Sequence, residues 1–228
     1  MKSEKSQATT LKLLDLISKY SPSSAATTRA SLLHDMHKSL LEHSIRELPE
    51  ILTSVYTQSF ALQLQDLSQS NEPYSYFCLR LLDHFSLVPA LRRKLVSMGV
   101  VKTCLNLLKS IEYEKCLSSL SLLTGLIGTS EVYLEFLENQ GVKLLYNLLQ
   151  TKEVEFIFYI LRIFDWLLNS PKIYRDSLLH MGIVDVLKFN IKNNPELQKS
   201  TALFGQAKRI KDEIEILEQF YFNKAFNS

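Results

Sequence analysis

Three groups of polar and aromatic side chains recur along the chain at a fixed interval: Arg80, Asp83 and His84; Ser121 and Thr124, with Gly125; and Arg162, Asp165 and Trp166. Within each group the spacing is i, i+3, i+4, so on a helix the members share one face. Guanidinium, carboxylate, hydroxyl and indole groups set out this way suit recognition by ion pairing, hydrogen bonding and stacking. They do not suit bond making. The chain has no glycine-rich phosphate loop followed by Lys, no G-x-S-x-G elbow and no His-Glu-x-x-His. His34, His37 and His43 gather near Asp35 and Glu42, and His34 and His37 share a face, but spacing supplies no third ligand and no metal site is expected. His84 has no nucleophile implied beside it and reads as a surface or interface residue. His180, just ahead of Gly182, suits a helix end. The expectation is a non-catalytic chain without cofactor or metal.

The elements that carry these groups are legible from the residues between them. Leu79, Leu81, Leu82 and Phe85 supply an apolar face that recurs 41 residues later at Leu120, Leu122, Leu123 and Leu126, and again at Leu161, Ile163, Phe164 and Leu167. A second periodic mark accompanies the first. Gly99, Gly141 and Gly182 lie 42 and 41 residues apart, each with Leu four residues before it and Val or Ile just after. Glycine there supplies the backbone freedom for one helix to stop and the next to leave at a sharp angle. Polar breaks fall at 109–114, 150–153 and 192–196, the last with Pro195. Each unit thus reads as a short helix, a glycine turn, a second helix, a break and a third helix. No segment alternates polarity over a strand's length, so the chain is expected to be all-α.

This unit resembles the armadillo repeat, whose second helix starts at glycine and ends in a Leu-Leu pair before a third, Leu-rich helix. Gly99 leads to Leu107-Leu108, and Gly141 to Leu148-Leu149; the unit at Gly182, with Leu187, Phe189 and Ile191, is looser. The resemblance covers about 71–217. It implies a right-handed α-solenoid of about four repeats with capping helices at both ends. It also implies that the third helices line a concave groove, which makes Arg80, Asp83, His84, Ser121, Thr124, Arg162, Asp165 and Trp166 a ladder for a partner. Trp166, the single tryptophan, is read either as a contact on that face or as packed inward between units. Arg80–Asp83 and Arg162–Asp165 are read either as contacts or as ion pairs within their helices. Armadillo proteins that carry nuclear-localisation peptides repeat a Trp with an Asn four residues on. The corresponding pairs here, Arg80/His84, Ser121/Gly125, Arg162/Trp166 and Leu203/Ala207, contain no Asn, so that function is not expected.

The expected organisation is an N-terminal helix (8–20) and linker (21–28) within 1–30, then a repeat domain over 31–228. Its units are placed near 31–88, 89–130, 131–170 and 171–217, with a C-terminal cap in 205–228. Helical periodicity over 31–68 is expected to break before Pro49. A composition 46% hydrophobic with 6 Gly and 6 Pro excludes disorder and a sandwich of many short strands. The net charge of +2 makes no case for nucleic acid. Two basic runs, Arg92-Arg93-Lys94 with Lys102 and Lys109, and Lys188 to Lys211, read as solvated helix faces. Three cysteines without CxxC spacing, the absence of a long apolar run and a polar start point to the cytoplasm or another reducing intracellular compartment.

Together these features imply a non-catalytic adaptor that binds a partner helix or peptide on its concave face, as a subunit of a larger cytoskeletal, ciliary or kinase-scaffolding assembly. The alternative is an armadillo-type nucleotide-exchange factor for the seventy-kilodalton heat-shock chaperone, to which the Ser97–Val101 turn and the Ile210–Phe222 tail are similar.

Overall fold

The computed structural model describes residues 4–226 apart from Pro22, Ile45, Thr129 and His180. The helix-end role expected of His180 lies outside the described residues. Helices in chain order are α1 (Glu4–Lys19), α2 (Ala26–Leu41), α3 (Leu48–Val55), α4 (Gln58–Ser68), α5 (Ser75–Ser86), α6 (Pro89–Ser97), α7 (Val100–Leu107), α8 (Tyr113–Leu126), α9 (Ser130–Glu138), α10 (Gly141–Leu149), α11 (Val154–Leu168), α12 (Lys172–Arg175), α13 (Ile183–Asn193), α14 (Pro195–Lys199) and α15 (Thr201–Phe226). A single 3-10 turn, Asp176–Leu178, follows α12, and no strand occurs among the described residues. The chain forms two compact units, Met1–Leu126 and Ile127–Ser228.

The first unit contains two successive triples, α3–α4–α5 and α6–α7–α8, preceded by α1 and α2. The periodic apolar positions of α5 and α8 are all buried, and α5 packs against α2, α4 and α8. Burying each of these Leu side chains stabilises the fold by roughly 1.5–3 kcal/mol. The stretch 31–68 breaks twice rather than once. Pro49 stands in the first turn of α3, as expected, while Thr57 ends the linker to α4 with its Oγ1 accepting from the Phe60 amide at 3.2 Å. That hydroxyl cap starts the second helix of this triple where later triples use glycine. The N-terminal linker is shorter than expected, because α2 begins at Ala26. Arg29 fixes it, donating from Nη1 to Ser24 O at 2.5 Å, from Nε to Tyr74 Oη at 3.1 Å and from Nη2 to Glu72 Oε1 at 2.7 Å.

The second unit contains the triple α9–α10–α11, then α12, α13, α14 and α15. Gly182 at the start of α13 has φ +71°, just as Gly99 before α7 has φ +78°, and only glycine takes that conformation without strain. Gly141 corrects the expectation. The left-handed residue there is Gln140, at φ 56°, and Gly141 is the first residue of α10. Glycine is required because a Cβ would lie 2.6 Å from the Phe136 ring. The last helix, expected over 205–222, runs over Thr201–Phe226. It buries Leu203, Ala207, Ile210 and Ile214 at spacings of four, three and four, and beyond them Ile216, Phe220 and Phe222 are exposed. The side chain of Phe226 lies outside the described residues.

Candidate functional site

In the first unit the predicted positions meet on α5 and α8. Residues 76, 77, 80, 83 and 84 of α5 and 117, 121, 124 and 125 of α8 are the half-buried members of otherwise buried helical turns. Asp83 joins the two helices: its Oδ2 accepts from Ser121 Oγ at 2.6 Å and its Oδ1 from Ser86 Oγ at 3.3 Å. The helices approach closely here because residue 125 is glycine; a Cβ would collide with Ser86 Oγ and Asp83 Oδ1. Thr124 turns its hydroxyl back to Ser121 O at 2.6 Å. Arg80 pairs with Glu114 on α8 at 2.8 Å rather than along its own helix, with its guanidinium 5.0 Å from the Tyr76 ring centre and its Nε donating to Ser118 Oγ at 3.5 Å.

His84 packs against α2. Its Nε2 lies 3.1 Å from His37 Nδ1, with ring centres 5.2 Å apart. Burial pushes both imidazoles down to about 4, with Arg80 and His34 adding to the effect at His37 and His37 adding to it at His84. Both rings are therefore neutral at pH 7, and one donates a hydrogen bond to the other. His34 stands with its ring 5.3 Å from Phe77. Among the described residues no three of His, Cys, Asp or Glu gather as a metal-binding group.

In the second unit the predicted residues lie on α11, whose less buried positions are Glu155, Phe158, Tyr159, Arg162, Asp165 and Trp166. Arg162 is exposed, with its guanidinium 5.5 Å from the Phe158 ring centre. Asp165 pairs with Arg209 of α15 at 2.8 Å, so this carboxylate too is engaged by another helix. Trp166 is half-buried. Its ring stacks on Tyr133 of α9 at 4.0 Å and 8°, Tyr133 stacks in turn on Tyr174 of α12 at 4.4 Å and 13°, and Phe136 meets the indole edge-on at 6.3 Å. Burial raises the Tyr133 hydroxyl above its ordinary range, offset by a hydrogen bond with Ser170. Tyr133, Tyr174, His37 and Arg209 were not indicated by the sequence. They reach the site from other helices and stand outside the 41-residue period.

No protein-family model and no curated protein sequence matches the chain. Solved structures do. A computationally designed armadillo repeat protein for modular peptide recognition is similar with a TM-score of 0.69 and 12% identity, over 92% of this chain and 90% of that one. An engineered protein is similar with a TM-score of 0.68 and 19% identity, over 89% and 78%. A designed armadillo repeat protein in complex with the peptide (KR)4 has a TM-score of 0.64 and 14% identity, over 93% and 87%. The chain thus has an all-helical, armadillo-like repeat fold. Among the described residues no helix is long and apolar enough to cross a membrane.

Proposed function

We propose that this chain is a non-catalytic binding scaffold that holds a helix or extended peptide of a partner protein against its third-helix faces, with α11 as the principal contact. The observation that carries the reading is the arrangement of Arg162 and Trp166. An exposed guanidinium over Phe158 stands one turn from an indole braced by Tyr133 and Tyr174. A braced aromatic loses little rotamer freedom on binding, so more of the contact energy appears as affinity. Two structures of similar fold support it, one designed for modular peptide recognition and one in complex with a peptide. A place in a larger cytoskeletal, ciliary or kinase-scaffolding assembly is the finer form of the same reading.

Trp166 is the single tryptophan, so its emission reports directly on this face. Peptides selected from a random library against the whole chain are expected to shift that emission. Their affinity should fall tenfold or more in a Trp166→Phe, Arg162→Glu variant that keeps its helical circular dichroism. Selected peptides that leave the emission unchanged and bind the variant equally well would move the working surface elsewhere.

A further inference from the structure

A second surface of different chemistry lies on α6 and α7. Between Asp83 and Glu112 the chain has five basic residues, Arg92, Arg93, Lys94, Lys102 and Lys109, and no acidic one. The solvent stripe of α7 is Lys102, Asn106 and Lys109, at i, i+4 and i+7, and α6 exposes Arg93, Lys94 and Ser97. The two helices pack together, joined by the Met98–Gly99 turn. The contacts these cations make inside the molecule are with neutral groups. Arg92 Nε donates to Ser86 O at 3.0 Å, Lys94 Nζ lies 5.1 Å from the Tyr56 ring centre and Lys109 Nζ donates to Asn106 Oδ1 at 3.2 Å. None of the five forms an ion pair with a described carboxylate.

The other basic run of the chain is the internal control. Lys188 pairs with Glu215 at 2.9 Å, Lys199 with Glu196 at 2.5 Å, Arg209 with Asp165 and Glu213 at 2.8 Å each, and Lys211 with Asp212 at 2.5 Å. One basic run is largely neutralised by the chain itself and the other is left uncompensated, at a cost in self-repulsion.

We infer that the α6–α7 surface is a docking site for an acidic segment of a partner protein, separate from the α11 face. Charge complementarity selects an anion, and the side chains select its class. No Phe, Tyr or Trp occurs from Pro89 to Ile111, so α6 and α7 offer no platform for stacking nucleic-acid bases. Neither helix exposes a large apolar side chain, which leaves no wedge for a bilayer. Exposed Leu87 and Ile111 stand just before α6 and just after α7, where they would meet apolar side chains of a protein segment. Lys102 and Lys109 are two helical turns apart, about 10 Å, the spacing that Glu at i and i+7 presents on a partner helix.

The test is fluorescence anisotropy of a labelled helical peptide carrying Glu at i, i+3 and i+7, beside the same peptide with Gln at those positions. The Glu peptide is expected to bind the full chain and weaken as salt rises, and the Gln peptide to bind at least tenfold less. Lys102→Glu with Lys109→Glu, both on exposed positions, should lower affinity for the Glu peptide tenfold or more at unchanged circular dichroism. The Trp166→Phe, Arg162→Glu variant should bind that peptide as the parent does, which separates failure here from failure of the α11 reading. Absent binding of the Glu peptide, equal binding of the Gln peptide, or equal loss in the α11 variant would overturn the inference. So would tighter binding to oligouridylate or to phosphatidylserine vesicles, which would reassign the surface to nucleic acid or membrane.

Discussion

Position for position, α5 and α11 occupy the same place in the repeat and use it in opposite ways. Arg80, Asp83 and His84 of α5 all bond to neighbouring helices: Glu114 and Ser118, Ser121, and His37. On α11 only Asp165 is drawn into an ion pair with another helix, while Arg162 is exposed over a ring of its own helix and Trp166 keeps part of its indole accessible. A shared register therefore does not mean a shared role. A half-buried polar face specifies how helices pack, because each hydrogen-bonding group there must find a partner. An accessible cation beside a braced aromatic has no such obligation and is left for a partner.

The position held by His84, Gly125 and Trp166 in successive repeats tests the contrast most severely. At 125 the side chain must be absent, since a Cβ would collide with Ser86 and Asp83. Gly125→Val is expected to cost about 3 kcal/mol, through overpacking and loss of the Asp83–Ser121 bond. Hydrogen exchange of α5 and α8 should accelerate and that of α11 should stay unchanged. Equal acceleration in both places would mean that the two faces are not energetically separate.

Much of this was readable in the sequence, and the failures have physical causes. The 41-residue period was visible because stacked units impose the same burial on the same positions, and the third helices bury those residues. Glycine was misread once. Gly99 and Gly182 are needed for positive φ, but Gly141 is needed for the space that the Phe136 ring fills, and spacing alone does not distinguish the two. The looseness of the unit at Gly182 also has a reason. Asn190 stands eight residues after that glycine, where the earlier units have Leu107 and Leu149. Its Nδ2 donates to Leu149 O at 3.2 Å, and Asn194 Nδ2 donates to Lys152 O at 2.8 Å, so amides staple α13 to the end of α10. Lys115, buried within α8 and donating to Ser70 O at 2.6 Å, likewise looked like a surface charge. Such polar staples join residues about 40 positions apart that need not share a type, so periodicity passes over them. The site was legible to the extent that it repeats. The aromatic bracing of Trp166 does not repeat, and it was missed.

The histidine pair offers a graded way to separate the units. In the fold both imidazoles titrate near 4, while in the unfolded chain they take up protons near 6.5. Between those values the unfolded state binds more protons, so stability falls as pH falls; the contribution is complete above about 6.5 and lost below about 4. Discounted for the part of His37 that faces water, the loss is on the order of 2 kcal/mol. Denaturation at pH 7 and pH 4.5, followed by hydrogen exchange, should show α2 and α5 losing more protection than α11, where the equivalent Trp166 does not titrate. Replacing the pair by His37→Gln and His84→Gln should flatten the difference. An unchanged pH slope in that variant would place the acid sensitivity elsewhere.

The finest comparison sets Arg80 against Arg162, identical residues at equivalent positions. Arg80 gives up a half-exposed ion pair with Glu114, a long bond to Ser118 and a ring contact when truncated, each weak beside water. Together they are worth about 1 kcal/mol. Arg162 has the Phe158 ring beneath it and an exposed head, so Arg162→Ala should change stability by less than about 0.5 kcal/mol. For binding the order reverses. A peptide selected against the chain should lose affinity in Arg162→Ala and keep it in Arg80→Ala, because only Arg162 is free to exchange water for a partner without breaking a bond between helices. Denaturant midpoints and peptide titrations on the same two variants measure both halves. If Arg80→Ala cost as much affinity as Arg162→Ala, the face of α5 would have to count as binding surface despite its internal bonds, and half-burial would cease to mark a structural role in this fold.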